Sequence, residues 1–131
     1  MFVTDTHPLV WYSTRHYSML SRQVLAAFED AQNAKSPIYI PIGVLWETAI
    51  LVNKGSIRLP DSFDHWAGNL SKQPGFRILN LDFSTISRSV GYTFNKDLFD
   101  RVIVATAVEV ELPLITKDVE ITESNLVDIY W

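Results

Sequence analysis

The chain contains no cysteine, which excludes thiol catalysis, zinc–thiolate centres and a disulfide framework. It also lacks a run fit to cross a bilayer. Its longest uncharged stretch, Ser36 to Trp46, falls well short of the roughly 20 apolar residues a spanning helix needs. The opening "MFVTDTHPL" has no basic region followed by an apolar one, so it does not read as a secretory signal. The expectation is a soluble, cytoplasmic protein with no membrane attachment. An excess of basic charge is missing too: 11 Lys and Arg stand against 15 Asp and Glu, for a net charge of −4. A broad basic surface for nucleic acid is therefore not expected, and any such contact has to be local or bridged by a metal. Repeats, low-complexity segments and linkers are absent as well.

What is present is a chain of 131 residues, 47% of them hydrophobic and 20% charged. That fits one packed domain over residues 1–131, able to bury about two thirds of its unfolded surface without metal or disulfide staples. Short β-prone runs alternate with helical patterns. "MFVT" precedes "SMLSRQVLAAFEDAQ", "IYIP" precedes "GVLWETAILVNKG", and "RILNL" precedes "FSTISRSVG". A long helix from Leu98 to about Glu111 leads into "LPLIT", and "NLVDIYW" closes the chain. This order predicts βαβ units on a mostly parallel sheet, an α/β fold. Between breakers, "PDSFDHWAGNLSKQPG" predicts one amphipathic helix with Phe63, Trp66 and Leu70 inward.

Parallel α/β sheets bind ligands outside the carboxyl ends of their strands. Asp5 follows the first strand and Asp118 follows "LPLIT". Taken singly, each is as well explained by a helix N-cap or a turn. Glu47 is harder to set aside. In "IGVLWETAILV" its helical neighbours are Gly43, Val44, Ile50 and Leu51, so its carboxylate shares a core-facing stripe. A buried, unpaired carboxylate costs several kcal/mol, enough to demand a proton or a partner. A metal serves better than the alternative, an edge position paired with a surface lysine.

"DLFDRVIVATA" raises the same question at the start of the long helix. Asp97 as N-cap with Asp100 three residues on makes a capping pair favoured by the helix N-terminus. Asp100 also shares a face with Val104 and Ala107, which points it inward to meet Asp5, Glu47 and Asp118. Carboxylates gathered in one pocket repel, each ionised pair costing roughly 3 kcal/mol at about 6 Å and an effective dielectric near 20. Such a cluster calls for protons or a hard cation. An all-oxygen set suits Mg²⁺ or Mn²⁺, and the chemistry implied is metal-assisted attack of water on a phosphodiester.

"VTDTH", "LWE", "KDLFDRVIVATA" and "LPLITKD" resemble, in order and spacing, the acidic motifs of PIN-domain ribonucleases, most of all the toxin subunits of VapBC-type toxin–antitoxin pairs. The resemblance runs the length of the chain. It implies a PIN domain with a four- to five-stranded sheet between helices, a Mg²⁺- or Mn²⁺-dependent endoribonuclease acting on RNA, a homodimer, and inhibition by a small cognate antitoxin. It assigns Asp5, Glu47 and Asp100 to the metal, with Asp118 and Asp97 completing the site through water. Thr6 and Thr116 would orient carboxylates or waters.

The chain departs from that pattern at Asn95 and Leu98, where members of this group often carry His and Pro. Leu costs the helix little; the lost His leaves a phosphate contact to Asn95 or Lys96. Arg101 is expected to pair with Asp97, one helical turn away. His7 and His16 read as solvated surface, and Trp11, Tyr12, Tyr17, Trp46 and Trp66 as core or interface rather than base-stacking residues. Candidate groove cations are Arg15, Arg22, Lys54, Arg58 and Lys96. A PIN scaffold without catalysis is one alternative. A phospho-accepting receiver with Asp82 as acceptor and Lys117 near the last acid is another, but Asp82 is more simply a helix N-cap.

Overall fold

The computed structural model describes residues 1–131. Its strands are β1 (Phe2–Thr4), β2 (Ile38–Pro41), β3 (Phe76–Leu79), β4 (Leu114–Ile115) and β5 (Ile129–Tyr130). They form one five-stranded sheet in the order β3-β2-β1-β4-β5, every pairing parallel. Seven helices flank it: α1 (Thr6–Ser13), α2 (Arg22–Gln32), α3 (Ile42–Asn53), α4 (Phe63–Lys72), α5 (Phe83–Val90), α6 (Leu98–Glu109) and α7 (Val119–Ser124). Val3 and Thr4 are successive, so their side chains leave opposite faces of the sheet, and both are fully buried. Helices therefore cover both faces, as a parallel sheet requires. Ile38, Ile40, Leu114 and Ile115 continue the core between Leu9, Phe28, Val44, Ile103 and Val104.

From β1 the chain steps outward through β2 to β3, and α6 then returns it to the other side of β1. The strand order reverses between β1 and β4, and that reversal opens a crevice at their carboxyl ends. No helix is long and apolar enough to cross a membrane.

The amphipathic helices follow their sequence patterns. α2 buries Val24, Ala27, Phe28 and Ala31, and Ser21 caps it by accepting from the Val24 N–H at 3.2 Å. It begins at Arg22 rather than Ser18, because Tyr17–Met19 forms a separate 3₁₀ turn. α4 buries Trp66 and Leu70, with Phe63 half-buried. Two helices have no counterpart in the sequence reading. α1 buries Thr6, Pro8, Leu9, Val10 and Tyr12, so it shows no polar face and hence no helical period. Pro8 sits in its first turn, where a missing N–H costs nothing. α7 is six residues long, too short for a period to register. α5 inverts the usual pattern, turning Thr85 and Ser89 inward while Phe83, Ile86 and Val90 are 84%, 46% and 75% exposed.

Candidate active site

The crevice holds a cavity of about 570 Å³ lined by Asp5, Glu47, Asp97, Asp100, Asp118 and Glu120, with His7, Pro8, Trp11, Thr116, Lys117 and Val119 completing its wall. All five carboxylates singled out in the sequence meet here. The backbone explains why. Val3 pairs with Leu114 and Thr4 with Ile115, so the next position along sets Asp5 beside Thr116. Thr116 Oγ1 donates to Asp5 Oδ2 at 2.7 Å, and the Asp5 N–H donates to the Ile115 carbonyl at 3.0 Å. The same Thr116 hydroxyl oxygen accepts from the Asp118 N–H at 3.1 Å, so one hydroxyl links the ends of both strands.

Three of the acids are also helix N-caps. Asp5 Oδ1 accepts from the Thr6 N–H at 2.7 Å at the head of α1. Asp97 Oδ1 accepts from the N–H groups of Phe99 and Asp100 at 2.9 and 3.2 Å at the head of α6. Asp118 Oδ1 accepts from the Ile121 N–H at 2.9 Å at the head of α7. All three caps line the cavity, Asp5 and Asp118 just beyond the ends of β1 and β4 and Asp97 after the loop that precedes α6. Glu47 arrives from α3, and the Thr6 hydroxyl donates to its Oε1. Gly43, one turn earlier, lets α3 lie close to α6, since a Cβ there would stand 3.3 Å from Val102 Cγ1. Asp100 presents its carboxylate from the first turn of α6, above the buried Val104 and Ala107.

Burial and crowding act on these groups in one direction. Desolvation raises the Asp5 carboxyl above its ordinary value despite the donors of Thr116 and Thr6. Burial likewise raises Glu47, with Asp5 and Asp97 adding repulsion against the Thr6 hydroxyl. Asp100 is pushed up to about 7, first by burial and then by the charges of Asp97 and Asp5. No carboxylate here has a cationic partner within ion-pair distance, since the molecule's ion pairs are His65–Asp61 and Arg88–Glu109.

The donor set fits a hard divalent cation. Glu47 Oε2, Asp97 Oδ2, Asp100 Oδ1 and Asp118 Oδ2, on four residues that line the cavity, accept from no protein donor and are left to water or a ligand. As placed, no three His, Asp or Glu side chains converge closely enough to hold a metal ion by themselves. An open, all-oxygen arrangement suits an ion that keeps part of its water shell, as Mg²⁺ does.

Several expectations are corrected. Arg101 does not pair with Asp97; its guanidinium donates to the Asn95 carbonyl, at 2.7 Å from Nε. The loop before α6 brings that carbonyl within reach and leaves Asp97 to its capping bonds. Asn95, at the position left open for a phosphate contact, turns toward the acids. Its Nδ2 donates to Asp100 Oδ2 at 2.7 Å and its Oδ1 accepts from the Asp97 N–H at 3.0 Å, so it braces both acids. The sequence left open which of Arg15, Arg22, Lys54, Arg58 and Lys96 line a groove; none of them borders this cavity, and Arg15 and Arg58 line a separate hollow with His16 beyond the C-terminus of α1. Lys117 borders it instead, signalled in the sequence only by its place beside Asp118. His7 and Trp11 also stand on the wall, whereas Trp66 is core. Asp82 caps α5, accepting from the Thr85 N–H at 2.9 Å, and lies outside the cavity, which removes the receiver's acceptor.

A fully parallel sheet between helices, with a carboxylate-lined crevice where its strand order reverses, defines a class of α/β proteins by architecture. Within that class the chain belongs to the PIN-domain family, whose model matches residues 2–124. Its fold is similar to that of a chain in a toxin–antitoxin complex from Klebsiella pneumoniae, at 21% identity and a TM-score of 0.62, covering 97% of this chain and 95% of that one. It is similar also to a chain of FitAcB from Neisseria gonorrhoeae, at 16% identity and a TM-score of 0.66, covering 100% of this chain and 97% of the other. No curated protein matches the sequence.

Proposed function

We propose that this protein is a Mg²⁺- or Mn²⁺-dependent endoribonuclease, a single domain over residues 1–131, acting in the cytoplasm as the toxin of a toxin–antitoxin pair. The observation that carries the reading is the cavity itself: six carboxylates from four separate segments, unpaired by any cation, three of which, Asp5, Glu47 and Asp100, burial raises above their ordinary values. A chain that spends stability in this way gains by binding something positive. Asp5, Glu47 and Asp100 would hold the metal, with Asp97 and Asp118 completing the site through water. When bound, the metal would lower the pKa of water and neutralise phosphodiester charge.

The chain's own residues do the positioning. Thr116 and the Thr6 N–H fix both oxygens of Asp5, so its carboxylate cannot rotate. The Thr6 side chain ties Glu47 to the same helix start, and Asn95 orients Asp100. Thr6 and Thr116 thus hold the acids in place without adding charge.

The similarity to a chain of a toxin–antitoxin complex supports a small antitoxin as partner. Its inhibitory segment would carry an Arg or Lys into the cavity, where a cation finds carboxylates that lack one. A homodimer is part of the same reading, and the exposed apolar stripe of α5 offers surface for assembly. Incubating an RNA pool with Mn²⁺ tests the reaction. Wild-type protein should cut it and Asp100→Asn should not; equal cutting by both would remove the cavity from the chemistry.

A further inference from the structure

Lys117 is the one Lys or Arg on a cavity wall that carries six carboxylates, yet it pairs with none of them. Its Nζ lies 4.7 Å from the ring centroid of Trp11 and 5.7 Å from that of Trp131. The two indoles stand edge to face with centroids 6.4 Å apart, and the Gln23 amide donates to the main-chain carbonyl of Trp131, tying the backbone of that residue to α2. The ammonium therefore rests in a notch of two π-systems. This placement has two effects. Collapse into the acids would neutralise Lys117 and set it in competition with a metal for the same oxygens; resting over the two rings, the ammonium does neither. Ring faces also take up none of the three N–H donors in the strict sense, and Lys117 makes no hydrogen bond within the protein, so its donors stay available to a ligand.

The ligand is anionic by this chemistry. A phosphodiester strand approaching six carboxylates meets repulsion, and an unpaired ammonium at the rim is the one fixed charge on the wall that opposes it. On the ribonuclease reading above, we propose that Lys117 binds a phosphate of the RNA strand at the mouth of the cavity. Trp11 and Trp131 are positioning residues that keep its charge off the carboxylates.

The test uses full-length protein carrying Asp100→Asn, so that RNA is bound without being cut, and a fluorescently labelled single-stranded RNA of mixed sequence in Mg²⁺ buffer. Affinity is measured by anisotropy across a range of KCl. Lys117→Gln should weaken binding roughly five- to tenfold at low salt. It should also reduce the slope of log affinity against log salt by about 0.7, the loss expected for one phosphate contact on a single strand. Lys117→Arg should restore both. Trp131→Leu, made in the wild-type background and confirmed as folded by its melting curve in EDTA, should reduce the Mg²⁺-induced rise in melting temperature, because the released ammonium enters the cavity. Adding Lys117→Gln to Trp131→Leu should bring that rise back, which a packing defect would not. An unchanged salt slope in Lys117→Gln overturns the proposal while cutting by the wild type leaves the ribonuclease reading standing. A parent that binds no RNA, beside a wild type that cuts none, overturns both.

Discussion

Asp5 and Asp82 do the same local job and live in opposite circumstances. Each follows a strand, adopts an extended backbone and caps a helix by accepting a backbone N–H. Asp82 is exposed, and the N–H and hydroxyl of Thr85 with the hydroxyl of Ser84 hold its carboxyl below the ordinary value. Asp5 is buried with two good donors, and burial still outweighs them and raises it. A cap is thus a stabilising device at the edge of the fold and a costly one in the crevice. On the proposed function the surplus charge in the crevice has a use outside folding, and separating these two roles is what the following experiments do.

The largest expected separation is in catalysis. Asp5→Asn and Asp100→Asn should each lower Mn²⁺-dependent RNA cleavage by roughly a thousandfold, the scale of losing about 4 kcal/mol of transition-state stabilisation. Asp82→Asn should leave cleavage within about twofold of wild type. On the proposed reaction, in which water attacks phosphorus and the ribose 3′-oxygen leaves, mass spectrometry of the products should show 5′-phosphate and 3′-hydroxyl ends. A 2′,3′-cyclic phosphate would mean attack by the ribose hydroxyl and would defeat this assignment.

Next comes stability against pH. Asp100 has a folded value raised from 3.8 to about 7, so the native state holds its proton more tightly than the unfolded chain does. Its ionisation therefore costs stability that accumulates as pH rises from about 4 to about 7, and Asp5 and Glu47 act in the same sense. Metal-free protein should melt several degrees lower at pH 8 than at pH 5, and Asp100→Asn should flatten that fall. Mg²⁺ at about 100 times its Kd should add near 3 kcal/mol, most of it at the higher pH. A wild-type melting curve indifferent to Mg²⁺ at pH 8 would count against the metal site.

Asn95 gives a smaller and sharper effect. Asn95→Ala removes a donor from Asp100 and an acceptor from the Asp97 N–H, while the bond from Arg101 reaches only the main chain. Cleavage should fall about tenfold, the order expected when a group that orients a metal ligand is lost. Asn95→Asp should be worse, because a further negative charge joins the cluster. Full activity in Asn95→Ala would show that Asp100 is oriented by α6 alone.

α2 and α4 were legible because each writes its burial as a helical period, the strands and α6 because they are apolar runs of fitting length between polar or breaker segments, and the acids because strand ends and an apolar helix stripe are unusual places for charge. α1 was not legible, since a helix buried on nearly every side has no polar face to alternate with. The bracing of Asp100 by Asn95 was invisible for another reason: it depends on the path of a loop, and the departure from His drew notice without saying what replaced it. Lys117 escaped because its partners, Trp11 and Trp131, are brought to it only by the sheet.

The smallest effect belongs to Asp82 and completes the contrast. Its folded carboxyl is depressed, so ionised Asp82 contributes stability that is fully present above the unfolded value near 4 and is lost as pH falls through the folded one. Asp82→Ala removes the acceptor for the Thr85 N–H and for two hydroxyls at the head of α5. At pH 7 this should lower the melting temperature by a few degrees, the usual scale of a lost N-cap in a domain of this size. The difference from wild type should shrink as the pH is taken toward 3. Mg²⁺ should raise the melting temperature of Asp82→Ala as much as that of wild type, since the residue lies outside the cavity. Asp5→Ala removes the same kind of cap, yet at pH 8 without metal it should cost less than Asp82→Ala, because it also relieves the crevice of a charge. If the two alanine variants lose stability equally across the pH range, the crowding of the crevice is not what distinguishes them, and the energetic case for a cation there fails.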